Sequence, residues 1–252
     1  MSTSGPFSDR DRVVSGIANL GRLGGVLATT VAAGAAPALA IGGGLSEANA
    51  KLGNYGFPPI VFVPPGFQPL VSEYGRGNNQ KAITNPILIQ FTHPSGWVVQ
   101  KTSVNNNGES GTVGANDYMK GDSANFFEFK LKPGDKVDAS SKAVYSSIID
   151  AALGRKGDVL ESVSVLKVEP LTTGLKGEQY FRVYFQYSLN TEAGFLIARQ
   201  GLMSVTEING YAECLVTGST TKRWKQKMEP IMKDIVDTFR VYKLDSGIFA
   251  TN

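Results

Sequence analysis

Two residues able to act as nucleophile and base occur once each in the chain, Cys214 and His93. A thiolate beside an imidazole makes a reactive pair only when a further group orients the base, and neither neighbourhood supplies one. His93 stands directly before Pro94 and is expected in a turn. Cys214 lies in a β-prone run and reads as a buried strand residue. Asp117, Asp122, Asp135 and Asp138 carry the oxygen chemistry that a hard cation needs, but their spacing does not match a calcium loop, and they read as solvated loop carboxylates. Gly111-x-x-Gly114 is too short to cradle a phosphate, and the chain has no serine elbow, phosphate-binding lysine loop or dinucleotide fingerprint. The expectation is a protein that is not an enzyme and takes no small-molecule substrate.

The remaining cluster is basic. Lys222, Arg223, Lys225 and Lys227 surround Trp224 at the start of a helical pattern. Clustered cations steer encounters with acidic protein or lipid surfaces. At a helix start they also oppose the positive end of the helix dipole, which favours a use other than helix stabilisation. The plain alternative is a solvated charged face. Whole-chain charge names no partner. Lys plus Arg is 25 against Asp plus Glu at 22, a formal net charge of +3, far from the excess of a nucleic-acid binder. The single cysteine excludes an internal disulfide.

The elements that must position these residues follow from periodicity. "PILIQFTHP", "GWVVQKTSV" and "NFFEFKLKPG" are short β-prone runs ended by Gly and Pro. In "YFRVYFQYSL" Phe181, Val183, Phe185, Tyr187 and Leu189 alternate with Arg182, Tyr184, Gln186 and Ser188, so one face is buried. Asn209-Gly210 divides the next apolar stretch and predicts a tight hairpin, because both residues tolerate positive φ. "DASSKAVYSSIIDAALGRK" predicts a helix with Ser or Asp as N-cap, apolar positions at Val144, Ile148 and Ala152, and Gly154 as terminator. A last helix carries the stripe Trp224, Met228, Ile231, Ile235 and Phe239. Pro230 interrupts it and predicts either a kink or a helix that begins near Glu229. Strands, helix, strands, helix make an α+β domain with a central antiparallel β-sheet flanked by helices.

With 252 residues, 42% of them hydrophobic, the chain can build one substantial core. Residues 1–40 read as a signal-like segment: after Arg10, Arg12 and Arg22 comes an uncharged stretch, Leu23 to Ser46, with Ala38-Leu39-Ala40 as a small-x-small cleavage site. A retained interfacial segment and a membrane span are the alternatives, the span disfavoured by Ala, Gly, Thr and an internal proline. Residues 41–85 are rich in Gly, Pro and Asn and predict an extended strap without a regular ladder of its own. Its Phe57, Ile60, Phe62 and Phe67 either lie on a partner or fold back over the chain's own domain. Residues 86–243 form the folded domain and 244–252 a tail.

Several landmarks resemble the PsbP-type extrinsic proteins of photosynthetic membranes, in order from about residue 86 to 243. Phe91 followed by "HPSGW", with Pro94 and Trp97, looks like the family's entry strand and turn. "GEQYFRVYF" resembles its Gly-x-x-Tyr-Phe strand start, here Gly177, Tyr180 and Phe181. "INGYAECLVTGSTTKRW" matches its Asn-Gly hairpin, cysteine-bearing strand and Lys-Arg-Trp entry into the last helix, here Asn209, Gly210, Cys214, Lys222, Arg223 and Trp224.

The resemblance implies a PsbP-like α/β sandwich and a non-enzymatic, peripherally bound protein of the chloroplast thylakoid, on the lumenal face. Its implied partners are photosystem core subunits, those of photosystem II in support of the oxygen-evolving complex. An assembly factor, or a photosystem I-associated subunit that is stromal, is the alternative. Family members help retain calcium and chloride, which makes calcium the candidate ion. The family's metal-binding histidines have only His93 to correspond to, so no cofactor is expected to be held directly. The partner-binding residues expected are Lys222, Arg223, Lys225 and Lys227 with Phe57, Phe62 and Phe67.

Overall fold

Alternating apolar residues build two antiparallel sheets. The structure is a computed structural model that describes residues 44–77, 83–101, 113–154, 159–171, 174–190 and 193–244. The signal-like segment 1–40 and nearly all of the tail lie outside these residues.

The smaller sheet joins β1 (Phe67–Gly77), β2 (Ile83–Pro94) and β10 (Arg240–Lys243) in the order β1-β2-β10. The larger sheet joins β3 (Val98–Gln100), β4 (Gly114–Asp117), β5 (Asp122–Lys130), β6 (Val159–Pro170), β7 (Phe181–Asn190), β8 (Leu196–Ile208) and β9 (Tyr211–Thr220) in the order β3-β4-β5-β9-β8-β7-β6. Among the described residues the helices are α1 (Leu45–Asn54), α2 (Lys142–Leu153), α3 (Thr221–Arg223) and α4 (Glu229–Asp237), with the π-helical turn Trp224–Met228 between the last two.

Strand alternation sorts the apolar side chains into three clusters. On one face of the larger sheet, Phe181, Val183, Phe185 and Tyr187 of β7 pack with Met203, Val205 and Cys214 against Tyr145, Ile148 and Ile149 of α2. Its other face meets α4 and the smaller sheet: Phe126, Leu202 and Leu215 pack with Met232, Ile235, Val236 and Phe239, and with Leu70, Ile87, Ile89 and Phe91. The outer face of the smaller sheet, through Val71, Leu88 and Tyr242, carries Ala48 and Leu52 of α1. The α+β class read from the sequence is correct, and the second sheet is an addition to it.

The reading of residues 42–85 as an extended strap is corrected. "LSEANAKLGN" forms α1, because its Ala, Leu, Glu and Lys are strong helix formers whose signal the flanking Gly and Pro diluted. Glu47 in its first turn and Lys51 in its last both complement the helix dipole. Residues 67–77 form β1, paired along its length with β2 across the boundary drawn at residue 85. Pro69 is tolerated because β1 is an edge strand, where a missing N–H breaks no ladder. Between them the proline-rich "FPPIVFVPPG" has neither helix nor strand. Asn49 clamps it to α1, accepting from the Ile60 N–H at 2.7 Å and donating to the Ile60 carbonyl at 3.2 Å.

Asn209 and Gly210 have φ of 55° and 77°, as the two-residue hairpin between β8 and β9 requires. Asp138 organises the entry to α2, accepting from the Ser140 N–H at 2.8 Å and from the Ser140 and Ser141 hydroxyls. The last helix properly begins at Glu229, and the preceding Trp224–Met228 turn is π-helical. Pro230 supplies no N–H and its ring crowds the carbonyl four residues back, and the wider turn relieves both demands. Ile231, expected in the buried stripe, is half-buried at its edge, while Met232 and Val236 lie in the core.

Candidate functional site

The basic stretch folds into three short helical segments of different burial. Trp224 and Met228 face the core, while Lys222, Lys225 and Lys227 are exposed. Arg223 departs from the expected contact surface. Its Nε donates to Asp122 Oδ1 at 3.1 Å and a terminal nitrogen donates to Asp122 Oδ2. Hydrogen bonding to that carboxylate raises the Arg223 pKa further above its ordinary value. The outward cations are therefore the three lysines.

Asp122 is itself a correction, since it was read as a solvated loop carboxylate. It opens β5 with 1% of its surface exposed, and the Ser219 hydroxyl donates to it at 2.7 Å. The other three acids stay near the surface. The Asp117 carboxylate accepts from Lys120 Nζ at 2.6 Å, which holds its pKa below the usual carboxylate value. Asp135 accepts from the Lys132 N–H at 3.0 Å. Among the described residues no three His, Cys, Asp or Glu side chains gather where a metal ion could be held.

His93 and Cys214 do not meet. His93 is buried at the end of β2 rather than exposed in a turn, with its Nδ1 2.9 Å from the Pro94 carbonyl and Phe91 edge-on to its ring. Burial lowers its pKa. Cys214 lies on the α2 side of the larger sheet, where burial pushes its thiol well above the ordinary value.

The aromatic residues of 57–67 separate. Phe57 stacks on Tyr242 with centroids 4.4 Å apart, Ile60 joins the cluster under α1, and Phe67 packs at the edge of the main core. These three fold back over the chain's own domain. Phe62 points outward, 69% exposed, beside the exposed Val61.

Four aromatic landmarks of the sequence converge, while Phe181 and Cys214 lie in the cluster on the α2 face. Phe91, Trp97, Tyr180 and Trp224, separated by as much as half the chain, are buried in one cluster between the two sheets. The Tyr180 hydroxyl accepts from the Val241 N–H at 2.9 Å, and burial pushes its pKa up to about 12. No family model matches the chain, and no curated protein matches it in sequence. Among solved structures it is similar to the cyanobacterial PsbP (CyanoP) of Synechocystis sp. PCC 6803, with a TM-score of 0.42 and 15% identity over 68% of this chain and 92% of that one.

A feature the sequence reading missed lies beyond the end of α2. An open cleft of ≈ 210 Å³ is lined by Asn116, Ser123, Leu153, Tyr187, Leu189 and Arg199, among others. Its one available signal was Gly218, a glycine inside a strand. A Cβ there would collide with the Tyr187 hydroxyl, so the glycine makes the room in which Tyr187 and Arg199 meet.

Proposed function

We propose that the chain is a PsbP-type peripheral photosystem subunit of the thylakoid, held on the lumenal face of photosystem II by the outward lysines Lys222, Lys225 and Lys227. The observation that carries this reading is the convergence of Phe91, Trp97, Tyr180 and Trp224 into one core cluster. Four of the aromatic residues that carry the family resemblance in sequence thus pack together, which supports reading the resemblance as one of core architecture. The same helical entry then divides its labour: Trp224 anchors inward, Arg223 is tied to Asp122, and the lysines are left facing solvent.

A peripheral attachment suits this arrangement. Among the described residues no helix is long and apolar enough to cross a membrane. Screening weakens contacts between exposed charges, so a high-salt wash of thylakoids should release the protein together with its lysine contacts. Replacing all three lysines by Glu should lower the salt needed. Retention after both salt and alkaline washing would overturn the reading. Recovery only with immature complexes would make the protein an assembly factor, and recovery with photosystem I would move the docking site.

A further inference from the structure

Arg199 of β8 links β7 to the β4–β5 turn at one end of the larger sheet. Its Nε donates to the Tyr187 hydroxyl at 2.7 Å and a terminal nitrogen donates to the Gly121 carbonyl in the β4–β5 turn. A guanidinium carries five N–H donors, so three remain for a ligand in the adjoining cleft. Among the described residues no carboxylate lies within ion-pair distance of Arg199. The two acids that line the cleft are already engaged, Asp117 by Lys120 and Asp122 by Arg223 and Ser219. The cleft therefore presents a cation to whatever enters it, between the apolar walls of Leu153 and Leu189.

Exposed apolar side chains project outward at this end of the sheet. Tyr118 and Met119 of the β4–β5 turn are 60% and 94% exposed, and Phe195 and Leu196 at the start of β8 are 69% and 67% exposed. Arg199 pairs with Thr220 in register, so the exposed Lys222 of α3 stands at the same end.

We propose that this end of the larger sheet docks on an anionic bilayer, with one phosphate- or sulfonate-type headgroup held against Arg199 and the four apolar side chains in the acyl boundary. Three observations select this occupant. The cleft, at ≈ 210 Å³, suits a headgroup and is smaller than sites that enclose a whole ligand. The apolar side chains stand in two separate pairs, one in the β4–β5 turn and one at the start of β8. That suits single insertions beneath headgroups better than the continuous apolar centre of a protein interface. Tyr118 also has the amphipathic ring favoured at the membrane–water boundary. The lipid contact is independent of the photosystem reading.

Flotation of the full chain with phosphatidylcholine vesicles, alone or doped with phosphatidylglycerol, tests the proposal. Binding is expected only to the doped vesicles. It should weaken by about tenfold in the Met119→Ser, Leu196→Ser double variant and by a similar factor in Arg199→Gln, with the urea midpoint of the exposed double variant unchanged. Absence of binding to doped vesicles, equal binding to both kinds, or indifference to the double variant overturns it. Displacement from vesicles by soluble glycerol phosphate at comparable concentration overturns it too, because the site would then serve a free anion. These vesicles contain no protein, so their failure to bind leaves the photosystem reading intact, and thylakoid release by salt is scored separately.

Discussion

Arg223 and Asp122, 101 residues apart in sequence, are joined through two guanidinium nitrogens and both carboxylate oxygens. The contact pins the helical entry after β9 to the start of β5, and Ser219 completes the shell of the buried carboxylate.

Removing one partner strands a charge that has left water. Arg223→Met should cost about 3 kcal/mol by urea denaturation, in the range for breaking a buried pair. The double variant with Asp122→Ala should recover part of that loss, because no unpaired carboxylate then remains. Additive losses in the two single variants would show that the residues act separately.

A second cycle probes the glycine under Tyr187. Gly218→Ala places a methyl against the tyrosine hydroxyl and should cost about 1–3 kcal/mol, as overpacking does. Adding Tyr187→Phe removes the obstructing oxygen and should restore part of the stability. The thermal midpoints of the three variants check this.

His93 gives the fold a pH dependence of defined sign. Burial lowers its folded-state pKa below the ordinary 6.5, so the unfolded chain takes up the proton more readily. Its contribution is complete above about pH 6.5 and is lost as pH falls toward the folded value, with a slope of at most ~1.4 kcal/mol per pH unit. His93→Gln should flatten the stability profile just below pH 6.5, where the surface carboxylates remain ionised. An unchanged profile would contradict the burial of this imidazole.

Phe57 and Phe62, close in sequence, should respond differently to truncation. Phe57→Ala removes the stack on Tyr242 and should cost about 1–2 kcal/mol. Phe62→Ala changes an exposed side chain and should stay within about 0.5 kcal/mol of the parent. Equal losses would mean that Phe62 is covered in solution.

The legible parts of the fold were those with strong local periodicity. β7 alternated cleanly because only one of its faces meets α2, and Asn209-Gly210 marked the β8–β9 turn because positive φ is a property of those residue types. α1 was hidden because a window dominated by Gly and Pro was judged by its average. β1 was hidden because Pro69 is tolerated only at an edge, and a single strand does not reveal its place in the order. The site was less legible than the fold. Nothing local distinguishes Lys222, which faces solvent, from Arg223, whose partner lies on β5. Asp122 looked like its neighbours in a polar loop, although the surrounding elements bury it. Arg199 became notable only when β8 and the β4–β5 turn came together.

The smaller sheet is completed by β10, drawn from the last part of the chain. Arg240 to Lys243 pair with Gln90 to Ile87, and the Thr92 N–H donates to the Thr238 hydroxyl across 146 residues. The sheet therefore cannot close until the segment after α4 has returned to β2, as far as 152 residues along the chain. Closing so long a loop is slow, and β2 keeps an open edge meanwhile.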